Sequence, residues 1–208
     1  MTTDKTYPAR IGVFGGTFNP IHLGHQHLIQ NALQELSLDR ILLIPTYLPP
    51  HKIARDLATG EDRLNMCRIV AQSDARIVVS DLEMQRQGSS YTWLTLRELQ
   101  RQYPGAELFL IVGGDMLRTF HQWRRWRDIL RMAKLCAAPR ETDEWAALVS
   151  VSGRYVEIGR GCMVMDTPVV EISSTQIRSA LKKEKTAGGL LHPGVEEYCR
   201  QHGLYQEE

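Results

Sequence analysis

Residues 11–14, IGVF, form an apolar run too short for a helix, closed by Gly15-Gly16. Such a run reads as a buried strand feeding a tight turn. From Gly24 onward the apolar residues fall at Leu28, Ile29, Leu33 and Leu36, the offsets of one helix face. A buried strand, a glycine turn and an amphipathic helix in that order admit few folds. The rest of the chain repeats the alternation. Strands are expected at 41–44 (ILLI, closed by Pro45), 76–80, 108–112 (LFLIV, stopped by Gly113-Gly114), 135–138 and 155–158. Helices are expected at 61–73, 91–102, 123–132, 175–183 and 194–202, with Thr92 placed to cap the second of these. The segment 46–60, with Pro49-Pro50, reads as a long loop. Strands alternating with helices predict an α/β fold, a mostly parallel sheet with helices on both faces.

No linker, repeat or low-complexity run divides the 208 residues. The expectation is one domain over 1–208, with an α/β core over about 10–170 and a C-terminal helical part over about 171–205. Twenty-five basic and 24 acidic residues leave a formal charge of +1, which argues against a dedicated nucleic-acid surface. Cys67, Cys136, Cys162 and Cys199 include no CxxC pair, so neither a zinc knuckle nor a redox pair is indicated. The N-terminus, MTTDKTYPAR, lacks an apolar leader, and no run nears 18 apolar residues; a cytoplasmic protein that does not span a membrane is expected.

The chemistry concentrates in GGTFNPIHLGH, residues 15–25. In a parallel sheet, ligands bind outside the carboxyl ends of the strands, where this stretch falls. Glycines let backbone N–H groups approach a phosphate, and the following helix start adds unpaired N–H groups and a favourable dipole. His22 and His25 share one helical face and can donate to polyphosphate oxygens, whereas His27 is expected on another face. The stretch is neither GxGxxG nor a Walker A loop. A second cluster, ISSTQIR (172–178), enters a helix with hydroxyls that cap or meet an anion; Arg178 there opposes the helix dipole, and an anionic ligand would offset this. At the end of another strand, Asp115 after Gly113-Gly114 suits a ribose hydroxyl or a helix cap. Trp123 and Trp126 offer a stacking platform or core, and His51-Lys52 add positive charge to a loop. No metal-ligand spacing and no nucleophile elbow occur, and Asp81 and Glu83 are assigned no catalytic role.

GGTFNPIHLGH resembles the signature of the nucleotidyltransferase superfamily that also holds the class I aminoacyl-tRNA synthetases. Paired with ISSTQIR about 150 residues later, it is similar to the nicotinate/nicotinamide mononucleotide adenylyltransferases. IPTYLPPHK (44–52), SSYTWLTLREL (89–99), LIVGGDMLRTFHQWRRWRDIL (110–130) and LLHPGVEEYCRQHGLY (190–205) narrow the resemblance to the bacterial nicotinate mononucleotide type, over about 10–205. The resemblance implies a Rossmann-like, doubly wound fold with a small C-terminal helical part. It implies adenylyl transfer from ATP, with magnesium, to nicotinate mononucleotide; transfer to nicotinamide mononucleotide, or a non-catalytic ATP-binding module, stays open as the alternative. It further implies that His22, His25 and Arg178 act on the phosphates, with Gly15, Gly16, Thr17, Phe18, Ser174 and Thr175 lining them. Gly113 and Asp115 would meet the adenosine half. Trp123 would stack on the pyridine ring, backbone N–H groups near Thr92 and Arg124 would bind its carboxylate, and His51 and Lys52 would border the mononucleotide. Two departures stand out: Asn19 replaces a common aspartate, and Arg124 a common aromatic residue. Arg124, Arg125 and Arg127 also raise the local positive potential, which favours an acidic substrate.

Overall fold

The computed structural model describes residues 9–48, 56–184 and 186–206. Six strands form one sheet: β1 (Arg10–Gly16), β2 (Arg40–Pro45), β3 (Ile77–Val79), β4 (Glu107–Gly113), β5 (Ala133–Ala138) and β6 (Cys162–Val164). Every pairing is parallel and the order is β3-β2-β1-β4-β5-β6. The chain winds outward from the β1–β4 pair in both directions. Their carboxyl ends therefore flank the crevice at which a doubly wound sheet binds ligands.

The strands read as continuous apolar runs because both faces are covered. Phe14, Ile41, Leu43, Phe109 and Ile111 face a core shared with α1 (Leu23–Glu35), α2 (Gly60–Ala71), α8 (Ser174–Glu184) and α9 (Pro193–Gln201). Their neighbours Val13, Leu42, Ile44, Leu108, Leu110 and Val112 face a second core. That core is built with α4 (Thr92–Gln102), α5 (Gly114–Thr119), α6 (Trp126–Met132) and α7 (Trp145–Ser152). The Rossmann-like, doubly wound arrangement with a helical C-terminal segment is as expected. No helix among the described residues is long and apolar enough to cross a membrane.

Four local expectations need correction. Residues 155–158 are a turn, and the sixth strand is Cys162–Val164. The apolar pattern there records the buried Tyr155 ring, set edge-on to Phe120 and Trp126, and Gly159 and Gly161 at left-handed φ of 61° and 78° then reverse the chain. The helix expected from Trp123 begins at Trp126, because Arg125 is itself left-handed at φ 58°. Thr92 is the first residue of α4, not its cap; Tyr91 holds the cap position without a side-chain bond. Three helices were missed: α3 (Leu82–Arg86) and α5, too short to display a helical period, and α7, whose run WAALVSVS is too uniformly apolar or small to show one.

Candidate active site

A cavity of about 520 Å³ opens at the carboxyl ends of β1 and β4. Gly15, Gly16, Thr17, Phe18, His22, His25, Thr92, Gly113, Asp115, Trp123, Arg124 and Ser174 all line it. Twelve dispersed residues singled out in the sequence therefore line one cavity. Arg178 and Thr175 stand beside the cavity and not on its lining, and His51 and Lys52 lie outside the described residues.

Gly15 and Gly16, expected as a turn, are the last paired residues of β1, the turn following at Asn19 and Pro20, and the glycine pair serves two purposes. A Cβ on Gly16 would approach the Phe18 ring to 3.0 Å, so that glycine permits close packing. A Cβ on Gly15 would meet nothing nearer than the Ile44 carbonyl at 3.9 Å, so its smallness leaves the cavity open beside the backbone. Beyond the turn, His22 occupies the cap position of α1 and His25 its first turn. The backbone N–H of His22 donates to His25 Nδ1 at 3.2 Å. A neutral His25 therefore carries its hydrogen on Nε2 and can donate from there. Burial, then the neighbouring Arg140 guanidinium, lowers the His22 pKa to about 4. Burial, His22 and Arg140 push His25 well below the usual histidine value. Both rings are neutral hydrogen-bond donors at neutral pH in the free protein.

The turn at Asn19 and Pro20, just before His22, is braced from distant segments. Asn19 is buried; its amide donates to the Asp56 carbonyl (2.8 Å) while its Oδ1 accepts from the Ala58 N–H (3.0 Å) and the Tyr205 hydroxyl (2.6 Å). An aspartate has no hydrogen to give Asp56, so asparagine fits this junction. Arg178 donates to the Asn19 carbonyl at 2.9 Å, and Ser174 Oγ to the Pro20 carbonyl at 3.1 Å. That carbonyl answers part of the helix-dipole penalty read from the sequence, while Arg178 Nε is buried without a partner among the described residues. Arg63, 1% exposed, donates to the carbonyls of Ala58, Thr17 and Thr46, tying α2 to the ends of β1 and β2.

On the far wall, the first turn of α4 presents backbone N–H groups that no side chain caps. The Arg124 N–H likewise has no partner among the described residues. Trp123 packs at 5.3 Å from Phe120 and lines the cavity, while Trp126 sits with Phe120 and Tyr155 in the core.

Several lining residues escaped the sequence reading. His27 lines the cavity, with a buried, unpartnered Nε2, although its helical offset placed it on another face. Arg140 lines it beside Asp115, at 3.1 Å; its position just past the end of β5 was the available signal. Glu83 also lines it, buried, with one oxygen accepting from Thr95 Oγ1 and the other unpartnered. Nothing in the sequence marks Glu83 as facing inward, because α3 is too short to reveal its face. Among the described residues, no group of three His, Cys, Asp or Glu side chains is arranged to hold a metal ion.

A parallel α/β crevice floored by the glycine end of a strand and two histidines defines a nucleotide-handling site. The cytidylyltransferase-like family model matches residues 13–180, so the chain is a nucleotidyltransferase. A probable nicotinate-nucleotide adenylyltransferase of Desulfitobacterium hafniense (strain Y51) is 38% identical over 200 residues, covering 96% of this chain and 97% of the relative. Another, from Neisseria meningitidis serogroup B, is 35% identical over 202 residues, covering 95% and 99%. With these relatives spanning nearly its full length, the chain belongs to the nicotinate-nucleotide adenylyltransferase family, enzymes of adenylyl transfer in NAD biosynthesis. The fold is also that of a Plasmodium falciparum nicotinic acid mononucleotide adenylyltransferase complexed with NaAD. That structure has a TM-score of 0.74 at 19% identity and covers 94% and 97% of the two chains.

Proposed function

We propose that this enzyme transfers the adenylyl group of ATP to nicotinate mononucleotide, releasing pyrophosphate and nicotinate adenine dinucleotide. The observation that carries this reading is the continuity of one cavity from the His22–His25 pair to the α4 start and the Trp123–Arg124 turn. One end suits a polyphosphate and the other a flat ring bearing an anionic group.

The mononucleotide phosphate, with a second pKa of about 6, is already a nucleophile near neutral pH and needs no general base. Its oxygen attacks the α-phosphorus of ATP in line, and the bond to the leaving pyrophosphate breaks. The protein's work is alignment and charge stabilisation. His22 and His25 donate to the phosphates as neutral imidazoles, with Gly15, Gly16, Thr17 and Phe18 contributing backbone. Ser174, Thr175 and Arg178 border the leaving group, and Gly113 and Asp115 the adenosine. Trp123 stacks on the pyridine, and the N–H groups of Thr92 and Arg124 hold its carboxylate. Magnesium arrives on the polyphosphate as part of the substrate.

A carboxylate requires only donors, whereas a carboxamide also requires an acceptor. The unpartnered Glu83 oxygen on the same wall is the one observation favouring nicotinamide mononucleotide instead. Pyrophosphate release from MgATP, with each mononucleotide supplied separately, decides between them. A higher kcat/KM for the acid supports the proposal; a higher value for the amide, or silence with both, overturns it.

A further inference from the structure

Two consecutive arginines follow Trp123, and of the two Arg124 lines the cavity. Arg124 stacks over the Tyr91 ring at 5.0 Å, and Arg125 over Trp93 at 4.5 Å. The turn bearing them is thereby joined to the start of α4. Arg125 is fixed a second time by its ion pair to Asp128 at 2.6 Å, which holds its left-handed backbone in place. Asp128 also takes Arg131 at 2.7 Å, so its negative charge is shared between those two arginines. Arg124 differs from both: among the described residues no carboxylate pairs with it, and it lines the cavity together with Tyr91, Thr92 and Trp123. An aromatic face positions a guanidinium without neutralising it, so the cation keeps its full charge for a ligand.

We propose that the Arg124 guanidinium, held on Tyr91, is the charge that makes this site prefer a pyridine mononucleotide bearing a ring carboxylate over one bearing a carboxamide. The inference rests on the acid-substrate reading above and adds a side chain to a discrimination otherwise left to backbone donors. Backbone N–H groups accommodate either substrate's carbonyl oxygen, whereas a net positive charge separates an anion from a neutral amide. Because Arg124 is exposed at the cavity mouth, the discrimination weakens with salt.

The test is pyrophosphate release from MgATP with the acid and the amide in separate reactions, for the unaltered enzyme, Arg124→Gln and Arg124→Lys, at low and high ionic strength. The acid-to-amide ratio of kcat/KM is read within each preparation, so any loss of folded protein cancels. Arg124→Gln is expected to lower that ratio about tenfold and Arg124→Lys to keep most of it, and high salt to move the unaltered enzyme toward the glutamine variant. Equal losses on both substrates, or an unchanged ratio in an acid-preferring enzyme, overturn the role of Arg124 alone. An unaltered enzyme that does not prefer the acid overturns the parent reading and this inference together.

Discussion

The rings of His22 and His25 stack with centroids 3.7 Å apart and planes inclined by 30°. Two imidazoles at that distance, His22 buried and His25 partly so, resist protonation beside Arg140. For His22 the folded value is about 4 against 6.5 for an unperturbed histidine. Below pH 6.5 the unfolded chain thus binds a proton that the folded chain refuses. Stability from this source is complete above that pH and declines as pH falls toward 4. His22→Gln is expected to shrink the stability difference between pH 7.5 and pH 5 by about 2 kcal/mol, measured by urea unfolding at each pH. An unchanged difference would mean that His22 is not neutral in the fold.

His25→Ala is expected to lower kcat roughly 10²-fold or more, since it removes the Nε2 donor proposed for the phosphates. Its unfolding midpoint should move far less. Steady-state pyrophosphate release alongside a thermal melt separates the two effects, and a full-rate variant would remove His25 from the mechanism.

Trp123→Ala is expected to raise KM for the mononucleotide about tenfold, the usual value of one base–aromatic stack, while KM for ATP holds. Should the ATP term move instead, the assignment of the two ends of the cavity is reversed.

Much of this site was legible because its chemistry is carried by residues whose offset along the chain fixes their place in the fold. A strand that ends in Gly15-Gly16 must deliver His22 and His25 to the carboxyl edge of the sheet, and LFLIV followed by Gly113 delivers Asp115 there by the same rule. Glu83 was illegible because its facing depends on tertiary placement, and Arg140 carried only the weak signal of following a strand end. Glu83 sits on a five-residue helix, and Arg140 follows β5 with no motif around it. Residues 155–158 misled for a related reason: an apolar turn that buries Tyr155 presents the same pattern as a short strand.

Arg63→Met is expected to destabilise the protein by on the order of 3 kcal/mol, because four backbone carbonyls, those of Ala58, Thr17, Thr46 and Tyr47, lose a charged donor and methionine supplies none. Burial lowers the Arg63 pKa from the ordinary arginine value, yet the fan of carbonyl acceptors solvates its charge. Chemical denaturation measures the loss; a midpoint within error of the unaltered protein would show that the fan contributes nothing.

Tyr205→Phe removes only the hydroxyl that reaches Asn19, and about 1 kcal/mol of stability should go with it. That bond joins residues 186 positions apart. Arg178, Ser174 and Leu190 make the other long reaches to residues 19, 20 and 23. During synthesis the turn at Asn19 and Pro20 leaves the ribosome well before its braces do. A nascent chain can assemble most of its sheet while this turn still lacks its clamps. Nucleotide-binding competence should therefore arise late and abruptly, with the emergence of Tyr205, and ribosome-stalled chains ending before it should bind ATP poorly even where the sheet has formed.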